Sequence, residues 1–150
     1  MTEQNVEDAM GTTPKRFDVE LFIVHPSLDP ADISQALGME GHFSHRVGDQ
    51  RKTPKGTLLP GVYPDTRWRH QIRHTVTEHL FAAEVVGFVE ELETHKEFLV
   101  NILASGGRAS VIIQFLGDGY LSDVIPTATL AKLADLGLAL GIECFVDPQS

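Results

Sequence analysis

The residues Arg67-Trp68-Arg69-His70-Gln71-Ile72-Arg73-His74 carry the densest chemistry in the chain. Read with the two-residue period of a β-strand, they separate into two faces. Trp68, His70, Ile72 and His74 share one face, and Arg67, Arg69, Gln71 and Arg73 share the other. A row of guanidinium groups binds carboxylates or phosphates, so it must be answered by acids of the same molecule or by an anionic partner. Loop residues Arg46, Arg51, Lys52 and Lys55 extend the same candidate partner-binding set.

The seven histidines raise the question of a metal. In a strand, His70 and His74 lie about 13 Å apart at ~3.3 Å per residue, too far to share one ion. His42 and His45 could add loop ligands, but no His-Glu-x-x-His pattern is present. No metal and no cofactor are expected. Nucleophilic chemistry is equally thin. Cys144 falls on the apolar face of an alternating segment and reads as a small buried hydrophobe. Ser44 beside His45, and Ser110, lack an elbow motif around them. Gly117-Asp118-Gly119 reads as a turn, and Asp118 with Asp123 as an ordinary pair of acids near it. No catalytic residue is assigned. The enzymatic or metal-binding alternative would need a pocket around His45, Asp49 and His70.

Charge sharpens the binding reading. Between Gly41 and Thr75 seven bases stand against two acids, a net +5, in a chain whose formal charge is −9, so the remainder carries −14. Such segregation marks either an anion-binding face or acidic helices folded over a basic strand. Glu90, Glu91 and Glu93 are the natural internal partners in the second case. A basic row with Trp68 or Tyr63 for stacking would also suit nucleic acid. The sequence pI of 5.1 counts against that partner, as does the position of Trp68 opposite the arginines. The expected partner is an acidic protein surface or a second copy of the chain.

The elements that must position these residues follow from periodicity and punctuation. At 150 residues, with 42% hydrophobic and 22% charged, the chain suits one globular domain. The polar, acidic N-terminus is unlike a secretory signal, no apolar run is long enough to cross a bilayer, and one cysteine makes no internal disulfide, so a cytoplasmic location is expected. Residues 1–16 read as a flexible tail and 17–147 as the domain. Phe17 to His25 is a strand that becomes apolar on both faces near its end. Asp29-Pro30 opens a short helix that Gly38 stops. Met39 to Asp65 is broken by glycine and proline, with short strands expected at Phe43–Val47 and Thr57–Leu59. Capping boxes at Thr75–Glu78 and Thr94–Glu97 would each start a helix. Arg108 to Leu116 is a strand, Thr127 to Leu140 a helix, and Ile142 to Val146 a closing strand.

This order is the ferredoxin-like βαββαβ with an appended αβ unit, so an α+β fold is expected, a mixed and mostly antiparallel sheet with helices on one face. The segment from Leu28 to Gly38, Arg46-Val47-Gly48-Asp49 and the tryptophan strand at Trp68 together resemble an uncharacterised bacterial family of small α+β proteins, a domain of unknown function. The likeness runs from about Phe17 to Val146. It implies the fold and assigns no catalytic residue. By analogy with small bacterial domains that lack catalytic motifs, a protein-binding or immunity-type module is expected.

Overall fold

The computed structural model describes residues 15–76, 80–117 and 120–145. The expected tail up to residue 14 lies outside them, as do Asp118 and the close of the expected domain. Strand β1 (Lys15–His25) is the centre of the fold. Phe17, Val19, Leu21 and Ile23 on one of its faces are wholly buried, and so are Asp18 and Glu20 on the other. The polar pair is buried because β1 has a neighbour on each side.

Those neighbours are β5 (Thr66–Val76) and β6 (Arg108–Leu116), both antiparallel to β1. Outside them lie the short β2 (Phe43–His45), antiparallel to β5, and β7 (Leu138–Cys144), parallel to β6. The five-stranded order β2-β5-β1-β6-β7 is therefore the ferredoxin-like arrangement with one strand added at the β6 edge. Among the described residues, strands β3 (Gln50–Lys52) and β4 (Leu58–Val62) pair only with each other.

Helices α1 (Pro30–Leu37), α2 (Ala82–Glu93), α3 (Lys96–Ala104) and α4 (Thr127–Asp135) lie on the sheet. Their buried side chains, among them Ile33, Val85, Phe88, Leu92, Leu99, Ile102 and Leu133, join the β1 apolar face and Trp68 in one core. Trp68 is fully buried and its indole Nε1 donates to Ser34 Oγ on α1 at 2.9 Å. The helix signals at α1 operate as read: Asp29 accepts from the Ala31 N–H at 2.9 Å, and Gly38 takes φ 63°. None of the described helices is long and apolar enough to cross a membrane.

Five local expectations are corrected. Strand β1 begins at Lys15, so Lys15 and Arg16 belong to the sheet, opposite Val76 and Thr75. Thr75 is therefore engaged in a ladder and opens no helix. The cap of α2 comes from Asp123, whose Oδ2 accepts from the N–H groups of Phe81 and Ala82 at 3.1 and 2.8 Å. Thr94 likewise closes α2 rather than opening α3, its hydroxyl donating to the Glu91 carbonyl at 2.8 Å. Helix α4 stops at Asp135, and Gly137 at φ 71° turns the chain directly into β7. Leu138 and Leu140 satisfy the two-residue period as well as the helical one, and the parallel ladder with β6 decides between them. Cys144 at the end of β7 is exposed, contrary to the buried role expected of it.

Candidate functional site

The face of the sheet opposite the helices is built by register. Asp18 on β1 lies between Arg73 on β5 and Gln114 on β6, while Phe22 lies between Arg69 and Ser110, and Val24 between Arg67 and Arg108. Glu20 faces Gln71, and Glu143 on β7 faces Gln114. Residues directly opposite in a ladder share a face, so all three arginines of the expected row point away from the core. Two of the three are answered from the neighbouring strand β1. Arg73 grips Asp18 with two bonds, Nε to Oδ1 at 2.9 Å and Nη2 to Oδ2 at 3.1 Å. Arg69 Nη1 reaches Glu20 Oε1 at 3.4 Å and stacks over the Phe22 ring at 4.1 Å. Arg67 pairs with Asp65 at 3.1 Å.

Amides join these pairs into one network. Gln71 Nε2 donates to Asp18 Oδ2 and, at 2.9 Å, to Gln114 Oε1. Gln114 Nε2 donates to Glu20 at 3.2 Å and to Glu143 at 2.9 Å. Burial pushes the Glu20 carboxyl above its ordinary range; Arg69 opposes that shift and the Glu143 charge adds to it. The expectation that Glu90, Glu91 and Glu93 would answer the row fails. Glu93 and Glu90 instead reach Lys132 on α4, at 3.1 and 3.9 Å. The helices pack on the other face, so those glutamates never meet the arginines.

The basic loop residues have a different setting. The β3–β4 arm spans residues 50–62, contains Arg51, Lys52 and Lys55, and has no acid. All three basic side chains are exposed, as are Leu58 at 69% and Val62 at 56%. Among the described residues none of the three forms an ion pair; Arg51 reaches only the Pro60 carbonyl, at 3.4 Å. The arm is clamped at its root. The Tyr63 N–H donates to the Asp49 carbonyl and the Tyr63 carbonyl accepts from the Gly48 N–H, both at 2.9 Å, and the Tyr63 ring stacks on His45 at 3.7 Å. The Tyr63 hydroxyl adds a bond to the Lys52 carbonyl at 3.2 Å. Arg46, just outside the arm, pairs with Asp29 at 3.3 Å.

The residues of the enzymatic alternative are divided by the sheet. His45 lies opposite Arg67 and shares its face, whereas His70 belongs to the helix side with Trp68. His45 and Asp49 do line one shallow cleft of about 460 Å³ beside Asp29, Ser34 and Ser44. The His45 Nδ1 is buried without a hydrogen-bond partner, and burial, then the Arg67 charge, lowers the basicity of the ring. His70 stacks on His42 at 4.9 Å and contacts the Glu40 carbonyl at 2.7 Å, while His74 stacks on Phe17 and approaches Glu84 at 3.5 Å. Among the described residues no group of three His, Cys, Asp or Glu is placed to hold a metal ion.

One serine–histidine contact lay outside the sequence reading. Buried His25 meets Ser105 Oγ through Nε2 at 2.9 Å. Its Nδ1 accepts from the N–H groups of Ser27 and Leu28 at 3.1 and 3.0 Å, so the ring proton sits on Nε2. Ser105 in turn donates to the Asn101 carbonyl at 2.7 Å. The imidazole thus donates to the serine, the reverse of a base that activates a nucleophile. This contact ties the β1–α1 turn to the end of α3.

No protein-family model, curated protein or solved structure matches the chain. The residues that sequence reasoning missed are Asp18, Glu20, Gln71, Gln114 and Glu143 as one set. Their signal was present: Asp18-x-Glu20 in a strand with a buried opposite face, and Arg69-x-Gln71-x-Arg73 in another, are complementary when the strands run antiparallel.

Proposed function

We propose that this protein is a protein-binding module, of the general class that includes immunity-type partners, and that its contact element is the β3–β4 arm. Strand β5 is the scaffold that carries the arm. The observation that supports this reading is the arm's composition and setting: three unpaired cations, two exposed aliphatic side chains and no acid, on a hairpin outside the main sheet. A lone two-stranded hairpin is marginal by itself, and cationic and aliphatic groups together fit an acidic partner surface with apolar contacts at its centre. Arg67, Arg69 and Arg73 contribute less to that surface, because their charge is already engaged. The domain-family resemblance noted from the sequence belongs to the same proposal and adds no activity to it.

The test is a titration with a short poly-glutamate peptide, followed through backbone amide shifts. Shifts confined to residues 46–63 at low salt, lost on Arg51→Gln, Lys52→Gln and Lys55→Gln together, support the reading. No shift at low salt, or shifts that follow β5, overturn it. The second reading, a small enzyme or metal-binding protein, keeps one specific observation: His45, whose buried Nδ1 has no partner, lines a cleft with Asp49. Isothermal titration with zinc separates the two, since heat abolished by His45→Ala favours the second.

A further inference from the structure

Strand β7 is an edge strand of unusual openness. Edges of sheets are ordinarily guarded by lysine, proline or a bulge. The seven residues of β7, Leu138-Ala139-Leu140-Gly141-Ile142-Glu143-Cys144, include no base and no proline. Their register with β6 is unbroken from Ala109↔Leu138 to Phe115↔Cys144. Among the described residues no strand pairs with the outer side of β7. Ile142 is 64% exposed and the adjoining Phe145 60% exposed.

The direction of the free backbone groups follows from one bond. Phe145 N–H donates to the Phe115 carbonyl on β6. Alternate residues of a strand point their amides to opposite sides, so Glu143, Gly141 and Ala139 face β6. Leu138, Leu140, Ile142 and Cys144 therefore offer their N–H and C=O groups outward.

We propose that β7 pairs antiparallel with β7 of a second copy, about a two-fold axis through Gly141, to make one sheet continuous across both chains. Three properties of the strand fit this occupant. Full-length overlap places Leu138 opposite Cys144 and Leu140 opposite Ile142 of the other copy, and those are the residues whose backbone groups point outward. Their side chains share the helix face, so every cross-strand pair there is apolar. On the opposite face Glu143 meets Ala139, which keeps the two Glu143 carboxylates on opposite sides of the axis. Centring the axis on Ile142 would bring those carboxylates into diagonal contact, so the charge selects the Gly141 register. The interface is isologous and closes as a dimer.

Each copy carries −9, so screening of mutual repulsion by salt strengthens this association. Docking of the basic arm on an acid surface weakens with salt. The proposal stands apart from the arm, and this opposite dependence keeps the two distinguishable.

The test is sedimentation velocity over a range of protein concentration and salt. The wild type is expected to show a monomer–dimer equilibrium that shifts toward dimer with added salt. Ile142→Lys, and separately Leu140→Pro, which removes an outward N–H and spares the β6 ladder, are expected to leave a monomer with an unchanged circular dichroism spectrum. If the proline variant does not fold, the lysine variant carries the comparison. In a Cys144→Ser background, Ala139→Cys with Glu143→Cys is expected to form an intermolecular disulfide, since these residues face each other only across the proposed axis. A wild type that is monomeric at every concentration overturns the proposal. So does a dimer that survives both edge variants, or one that gives no cross-link.

Discussion

The two basic regions of this molecule look alike in sequence and differ in what surrounds them. The arginines of β5 lie beside a central strand that supplies Asp18 and Glu20, each 1% exposed. The cations of the β3–β4 arm form no ion pair among the described residues. Position in the sheet, rather than local composition, decides whether a basic row is scaffold or contact. A cation next to a buried carboxylate is held by the cost of leaving that carboxylate alone. A cation on an exposed hairpin is held by little, and it is available.

The largest expected effect is in the scaffold. Arg69→Gln leaves Glu20 without its cation. Glu20 escapes by taking up a proton, which would cost about 3.4 kcal/mol at pH 7 from the ordinary value of 4.5 and costs less here because burial already raises the carboxyl. Arg69 is one-third exposed, so part of its contribution is already screened, and a loss of about 2 kcal/mol is expected in urea unfolding. Arg73→Gln is expected to destabilise in the same direction through Asp18. Either variant unfolding at the wild-type midpoint would mean that the network carries no stability.

A smaller effect is expected at the arm's root. Tyr63→Ala removes the ring stacked on His45 and the hydroxyl bond to Lys52, a local loss of about 1 kcal/mol. Hydrogen exchange of the amides in 50–62 should rise while that of β1 stays protected. Equal acceleration in both would show that the arm is integral to the core.

The pH dependence is a further discriminator. The carboxyl of Glu20 is raised in the folded state, so its contribution to stability is complete below about pH 4.5 and is lost as pH rises through the folded value. Glu20→Gln removes that dependence. The stability of the variant relative to wild type should therefore increase between about pH 4 and 7 in urea unfolding. A difference that is flat or falling would place a fully ionised Glu20 in the fold.

Much of the fold was legible in the sequence, because its signals are local. Asp29, Pro30 and Gly38 define α1 by cap, first-turn and stop chemistry. The alternation Phe17, Val19, Leu21, Ile23 marks the central strand. The errors came where a distant residue decides. Asp123 caps α2 from far along the chain, and the local pattern at Thr75 carries no trace of it. Leu138 and Leu140 fit two periods, and only pairing with β6 chooses between them. Glu90, Glu91 and Glu93 can answer the arginine row only if their helix packs against it, and the face a helix covers is not written locally. The partners of Arg69 and Arg73 on β1 become visible only when register is known. Composition marks the arm as a broken basic loop, whereas its hairpin pairing and the His45–Tyr63 clamp carry no short-range pattern.

The central claim is that β5 is scaffold and the arm is contact, and paired urea unfolding at pH 7 tests it most directly. Arg69→Gln is compared with the triple variant Arg51→Gln, Lys52→Gln, Lys55→Gln. The account predicts a loss of about 2 kcal/mol for the first and a change within about 0.5 kcal/mol for the second. A triple variant that loses as much as Arg69→Gln, or an Arg69→Gln protein as stable as wild type, would contradict it.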